Sequence, residues 1–146
     1  MKRYYFVLLI LLLATACRTA LRTEDQGIAL SDDTVIVYGR SGGFAGLQQE
    51  WTIHADGRID LPDGSQKQVE VAKVKDLFAT IQTANFQTLN ESYLPEDDCC
   101  DLFTYTVTVQ TGAKAQTVSM MEGTTNVPGE LTAVFQTIDQ LIQTAK

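Results

Sequence analysis

The chain has few of the side chains on which catalysis and metal binding most often depend. Its 146 residues include one histidine, His54, and three cysteines, of which Cys99 and Cys100 are adjacent. A Ser-His-Asp or Cys-His system needs a histidine within hydrogen-bond reach of its nucleophile. His54 instead follows a predicted strand on its polar side, and we interpret it as a solvated strand-end residue. With no Cys-x-x-Cys pair and no His-Glu-x-x-His motif, zinc is disfavoured, and we predict no catalytic site and no cofactor.

The patterns of phosphate-binding loops are also missing. A P-loop reads Gly-x-x-x-x-Gly-Lys-Ser/Thr, and a dinucleotide loop reads Gly-x-Gly-x-x-Gly before a helix. The glycine-rich stretch from Gly39 to Gly46 matches neither pattern, and an alternating, strand-like segment follows it. The helix N-terminus that would hold a phosphate is therefore not expected here.

Positive charge is scarce. The chain has 11 lysines and arginines against 18 aspartates and glutamates, for a net charge of -7. Nucleic-acid binding needs a positive patch, so we do not expect nucleic acid as a partner. An acidic surface is compatible with solubility outside the cell.

The apolar run over residues 4–13 is too short to cross a membrane, which takes about 20 residues. Two basic residues precede it and three small residues follow it, as in a secretory signal peptide. Cys17 comes next, so "LLATAC" resembles a bacterial lipobox, in which the cysteine receives a lipid. We predict a lipoprotein signal peptide at residues 1–16, lipid attachment at Cys17, and a place at the cell membrane or outer envelope. The alternative is an ordinary signal peptide with an incidental cysteine.

Cleavage before Cys17 would leave Cys99 and Cys100 as the remaining cysteines. A disulfide between adjacent cysteines is strained, because ordinary disulfide geometry keeps the two Cα atoms well apart. An oxidising compartment nevertheless permits such a bond. A disulfide, a free pair and an intermolecular bridge all stay open.

The rest of the chain predicts one tethered domain. Residues 17–33 are polar and are interpreted as a flexible tether, and residues 34–146 as a single domain. Alternating or β-branched segments predict strands at 34–38, 47–53, 58–61, 103–109 and 115–121. Apolar spacings of three and four predict helices near 70–84 and from Pro128 onward. This order predicts an α+β fold, with an antiparallel sheet of four to five strands and two helices packed on one face.

The glycine-rich stretch places a cation, a hydroxyl and an aromatic ring around two glycines. Glycine permits both tight turns and close approach of the backbone to a partner. We therefore predict a partner-binding segment composed of Arg40, Ser41, Gly42, Gly43 and Phe44. A plain hairpin turn or bulge that uses glycine for its dihedral angles explains the stretch equally well.

Four carboxylates surround the paired cysteines, at Glu96, Asp97, Asp98 and Asp101. Calcium prefers oxygen ligands, but their spacing does not match a calcium loop. We interpret the segment as a solvated acidic loop.

The segment "RSGGFAG", residues 40–46, directly after an apolar strand, resembles the opening of emfourin-like proteins. These are small bacterial proteins named after the inhibitor of protealysin, a thermolysin-like zinc metalloprotease. The helix near 70–84, the acidic loop, "FTYTVTV" and the final helix are similar to the family layout. The resemblance covers about residues 35–142.

The resemblance implies an inhibitor that blocks the cleft of a thermolysin-like protease. A rigid loop would enter the cleft, its main chain would pair with the protease's edge strand, and Phe44 would fill an apolar subsite. Glu50 or Asp101 would approach the zinc. Two other classes stay open: a non-inhibitory structural or binding module of the envelope, and a lipoprotein that binds a small ligand or metal through the acidic loop.

Overall fold

The computed structural model describes residues 31–96 and 101–145. They form an α+β domain with a seven-stranded, mostly antiparallel sheet and two helices. The strands are β1 (Thr34–Gly42), β2 (Leu47–His54), β3 (Arg58–Asp60), β4 (Gln66–Gln68), β5 (Ser92–Tyr93), β6 (Phe103–Thr111) and β7 (Lys114–Met121). Their order across the sheet is β4-β3-β2-β1-β6-β7-β5, so β1 lies at the centre. Only the pairing of β5 with β7 is parallel.

The sheet has one covered and one open face. Ile36 on β1 is opposite Ile53 on β2 and Val109 on β6, and all three are buried. Their sequence neighbours point to the other face, because side chains alternate along a strand. That face carries mostly Thr, Gln, Glu and Ser, and neither helix of the described ranges packs on it. The predicted alternation in β2 and β6 is confirmed.

Both helices pack on the covered face. They are α1 (Val71–Thr83) and α2 (Gly129–Thr144), close to the predicted ranges. Each has an apolar stripe with a spacing of three or four residues, which brings its members to one side of the helix. The buried members are Val74, Leu77 and Ile81 in α1, and Leu131, Val134, Phe135, Ile138 and Leu141 in α2. These side chains and the covered face of the sheet form one hydrophobic core.

The prediction of four to five strands understates the sheet, which has seven. β4 consists of three exposed polar residues, so it has no apolar alternation to reveal it. β5 has two residues and lies between the predicted helix near 70–84 and the predicted strand at 103–109, in a segment where Phe86 and Tyr93 are buried. Both strands depend on pairing with distant segments, which local sequence patterns do not record.

No helix within the described ranges is long and apolar enough to cross a membrane. The predicted signal peptide, Cys17, most of the tether and the Cys99–Cys100 pair lie outside the residues that the structure describes.

Candidate functional site

The glycine-rich stretch forms the tip of the hairpin between β1 and β2. β1 extends to Gly42, which pairs with Leu47, so the turn consists of residues 43–46. We call these four residues the hairpin tip. The Gly46 N–H donates to the Gly43 carbonyl at 2.9 Å, and the Gly43 N–H donates to the Leu102 carbonyl at 3.2 Å. One hydrogen bond therefore closes the turn, and the other joins the turn to the residue just before β6.

Glycine is required at this turn for two reasons. Gly42 and Gly43 have φ angles of +106° and +71°, which side chains with a Cβ rarely adopt. A Cβ on Gly42 would also lie 2.3 Å from the Leu102 carbonyl oxygen. Within the described residues, these two glycines approach Leu102 and Phe103 of the same chain, and the predicted close approach to a partner stays a prediction.

Phe44 projects from the tip into solvent. Its side chain is 93% exposed, more than Leu94 at 59% or Val71 at 42%, the other large exposed apolar residues of the described ranges. Burial of an aromatic ring is energetically favourable. An exposed ring on an ordered turn can therefore contribute binding energy when a partner covers it.

The five predicted binding residues do not share one surface. Arg40 and Ser41 belong to β1 rather than to the tip, and they point to opposite faces of the sheet. Arg40 lies on the covered face, opposite Gln49 and Tyr105. Ser41 lies on the open face, opposite Gln48 and Thr104. Of the five, Phe44 alone is largely exposed.

Residues 39–43 read Gly-x-Ser-x-Gly, the spacing of a nucleophile elbow. An elbow places its serine at a sharp turn between a strand and a helix, whereas Ser41 lies within β1. His54 is opposite Val35, six positions from Ser41 along β1, or about 20 Å at the usual rise of a strand. The histidine is therefore out of reach, and the motif lacks the geometry of a catalytic serine.

Phe103 supports the tip from below, and no feature of the sequence singles it out. A Cβ on Gly43 would lie 2.7 Å from two carbons of the Phe103 ring. The guanidinium carbon of Arg40 lies 4.1 Å from the centroid of the same ring. The contact arises from the β1–β6 register, which pairs Gly42 with Phe103.

An aromatic cluster continues from Arg40 toward the core. Tyr38 and Trp51 stack with their centroids 5.4 Å apart, and Phe135 lies 6.2 Å from both Tyr38 and Tyr105. The Tyr38 hydroxyl donates to Asp139 at 3.1 Å. The pKa of Tyr38 is raised, because burial disfavours the phenolate and because the negative charge and hydrogen bond of Asp139 act in the same direction.

The open face carries a polar cluster around Asp60. His54 Nε2 lies 2.7 Å from one Asp60 oxygen, and Arg58 and Gln66 donate to the other. The hydrogen bond from His54 is the largest cause of a lowered pKa at Asp60, with Arg58 acting in the same direction. His54 is thus on the predicted polar face, but it is paired and not simply solvated.

A groove of about 700 Å³ lies on the open face, over β1, β2 and β6. It is bordered by Gln48 and Glu50 on β2 and by Leu61, Pro62 and Gly64 in the β3–β4 turn. β3 pairs only with Thr52 and Ile53. Within the described part of the chain, residues 47–51 of β2 therefore have β1 on one side and no strand on the other.

The predicted acidic loop is only partly described. Glu96 and Asp101 are exposed, and Asp97 and Asp98 lie outside the described ranges. Among the residues that the structure does describe, no group of three or more His, Cys, Asp or Glu could hold a metal ion. Asp101 precedes Phe103 at the tip end of the sheet, whereas Glu50 lies on the open face.

The described residues define a small α+β domain with a projecting, backbone-locked hairpin tip. Residues 51–142 match the family model of a domain of unknown function, DUF6438, and the chain belongs to this family. The match begins within β2, so the hairpin tip precedes the matched range. No curated protein matches the chain.

Proposed function

We propose that this protein is an exported, lipid-anchored envelope protein whose domain binds another protein through its hairpin tip. It acts by binding and not by catalysis. In the proposal, Cys17 carries the lipid, residues 17–33 form the tether, and the partner is a thermolysin-like metalloprotease that the tip inhibits. The observation that carries the proposal is the 93% exposure of Phe44 on a turn whose backbone is fixed.

The rigidity of the tip favours binding. A loop that is already ordered loses little conformational entropy when it enters a cleft. The hydrogen bonds of Gly43 and Gly46 and the packing of Phe103 supply that order. The tip therefore holds the backbone of Phe44 in place, which leaves only its side chain to be ordered when it acts as an anchor.

Residues 47–51 of β2, which pair with a strand on one side only among the described residues, support main-chain pairing with the partner. A free strand edge accepts an extended segment through its backbone hydrogen bonds. β1 has a strand on each side, so the edge at residues 47–51 of β2 is the part of the hairpin that can pair. The groove on the adjoining open face is bordered by Leu61 and Pro62, which would contact the side chains that the added segment directs to that face.

An inhibition assay tests the function. We expect the full chain at micromolar concentration to slow peptide hydrolysis by a thermolysin-like protease, with saturation as its concentration rises. No slowing at any accessible concentration would reject the inhibitor proposal for that enzyme. A serine protease serves as the control and should be unaffected.

The anchor has a separate test. Mass spectrometry of protein extracted from bacterial membranes should show a lipid mass on the peptide that begins at Cys17. The Cys17→Ser variant should lack this mass and leave the membrane fraction. An unmodified Cys17 in the wild-type protein would contradict the anchor without bearing on the tip.

A further inference from the structure

Arg40 lies in a row of hydrogen-bond donors on the covered face, at the tip end of the sheet. It is directly opposite Gln49 on β2 and Tyr105 on β6. Directly opposed residues of neighbouring strands have their Cβ atoms about 5 Å apart. Gln49, Arg40 and Tyr105 therefore have neighbouring Cβ positions across three strands, and their side chains start from the same face. All three groups can donate hydrogen bonds, and the guanidinium can only donate.

The guanidinium is held in place by aromatic rings. Its carbon lies 4.1 Å from the Phe103 centroid and 5.8 Å from the Tyr105 centroid. Cation–π contacts of this kind hold a guanidinium against the aromatic rings. Arg40 is thus oriented before any ligand arrives.

Arg40 has no anionic partner among the described residues. Both ion pairs of residues 31–96 and 101–145 involve Asp60, which lies on the opposite face. The Nε atom of Arg40 is buried and has no hydrogen-bond partner in that part of the chain. A buried donor without a partner costs stability, so the guanidinium favours a small rearrangement that brings an acceptor from a ligand to it.

We propose that Arg40 is the centre of a carboxylate-binding site, with Gln49 and Tyr105 as flanking donors. A planar carboxylate accepts two parallel hydrogen bonds from a guanidinium. A phosphate group is disfavoured, because the site has one cation and the chain has a net charge of -7. The proposal rests on the proposed function in one respect: the carboxylate belongs to the polypeptide that Phe44 contacts.

The test uses the full chain labelled with ¹⁵N, and it follows the Nε–Hε signal of Arg40 by NMR. The probe is N-acetylphenylalanine, which presents a carboxylate beside an aromatic ring. Its amide, N-acetylphenylalaninamide, is the matched control without the charge. We expect the acid to shift the Arg40 signal saturably and the amide to leave it unchanged. Equal shifts from both compounds, or none from either, would overturn the proposal.

Two variants test whether binding of the acid depends on Arg40 itself or on positive charge anywhere on the protein. Arg40→Gln should bind the acid about tenfold to a hundredfold more weakly, the loss typical of a charge-assisted hydrogen bond. Arg58→Gln removes an arginine that already pairs with Asp60, and it should bind like the wild type. Unchanged affinity in Arg40→Gln would overturn the site, and the wild-type titration decides the matter should that variant fail to fold.

Two further arms exclude other ligands. Inorganic phosphate should shift the Arg40 signal less than the acid at equal concentration, and an equal or larger shift would contradict the choice of a carboxylate. The double variant Asp97→Asn/Asp98→Asn should leave the Arg40 signal of the free protein in place. Movement of that signal would show that the protein's own acids occupy the guanidinium, and it would overturn the proposal.

The failure of this site and the failure of the proposed function are distinguishable. Saturable binding of the acid without protease inhibition would keep the Arg40 site and reject the inhibitor. Inhibition that persists in Arg40→Gln, with no shift by the acid, would keep the inhibitor and reject the site.

Discussion

The Phe103 ring packs directly against the backbone of Gly43, so closely that a Cβ at that position would lie 2.7 Å from two of its ring carbons. The same ring carries the Arg40 guanidinium at 4.1 Å. The Phe103 ring therefore contacts both the hairpin tip and the Arg40 guanidinium, which has no anionic partner among the described residues. This contact explains why an ordered turn can present Phe44 to solvent.

Gly43→Ala should lower the free energy of unfolding more than Gly46→Ala. Both glycines have positive φ, which costs about 1–2 kcal/mol for a residue with a Cβ. The Cβ at Gly46 meets nothing within 4 Å, whereas the one at Gly43 meets Phe103. We expect a further cost of about 1–3 kcal/mol for Gly43→Ala from this overpacking. Urea denaturation measures both, and equal losses would contradict the Phe103 contact.

Ile36→Ala and Val37→Ala test which face of the sheet the helices cover. Ile36 is fully buried under the helices, and its neighbour Val37 lies on the open face. We expect a loss of about 2–5 kcal/mol in the free energy of unfolding for Ile36→Ala. Val37→Ala should cost about 1 kcal/mol or less. A reversed order would contradict the arrangement of the layers.

Tyr38 should make stability fall at alkaline pH. Its pKa is raised in the folded state, first by burial and then by Asp139. The unfolded chain releases this proton near the ordinary value of 10.0, whereas the folded chain retains it, so stability is complete below 10.0 and falls above it. Ultraviolet titration should show a late tyrosine ionisation that disappears in Tyr38→Phe.

Asp139→Asn is the matched control for that titration. It removes the negative charge but keeps an oxygen that can accept from the Tyr38 hydroxyl. The pKa of Tyr38 should fall but stay above 10.0, because burial is the largest cause of its shift. An unchanged titration curve in Asp139→Asn would show that Asp139 does not influence Tyr38.

The Asp60 cluster should lose stability at acidic pH. The folded-state pKa of Asp60 is lowered, mainly by the hydrogen bond from His54, so its contribution is present above the ordinary value of 3.8 and is lost as pH falls through the folded pKa. Asp60→Asn should lower the free energy of unfolding near neutral pH, and its difference from wild type should shrink on acidification. A difference that is constant down to about pH 2, below the ordinary range of aspartate, would contradict the cluster.

The elements that the sequence predicts well are those with a strict period. Phe103, Tyr105, Val107 and Val109 alternate strictly, and they share the covered face of β6. The spacing of three and four residues predicts α1 and its buried Val74, Leu77 and Ile81, although Val71, which fits the same spacing, is exposed. β4 and β5 escape prediction because neither has an apolar pattern of adequate length. Their existence depends on pairing partners far away in the chain.

The glycine-rich composition predicts where the hairpin tip lies, but it does not predict where β1 ends and the tip begins. The predicted first strand ends at Tyr38, whereas β1 continues to Gly42, because β2 and β6 pair with it on both sides. This pairing outweighs the low strand propensity of glycine. It places Arg40 and Ser41 on opposite faces, and it brings Phe103 beneath Gly43, a contact with no local signal in the sequence.

The most direct test of the central claim compares Phe44→Ala with Val71→Ala in the protease inhibition assay. Val71 is also exposed, but it lies far from the tip. It is the first residue of α1, and the nearby Val69 N–H donates to the Gly57 carbonyl at the opposite end of the sheet. We expect Phe44→Ala to weaken inhibition by about thirtyfold or more, the loss typical of an interface anchor, with unchanged stability. Val71→Ala should inhibit like the wild type. Full inhibition by Phe44→Ala would contradict the account.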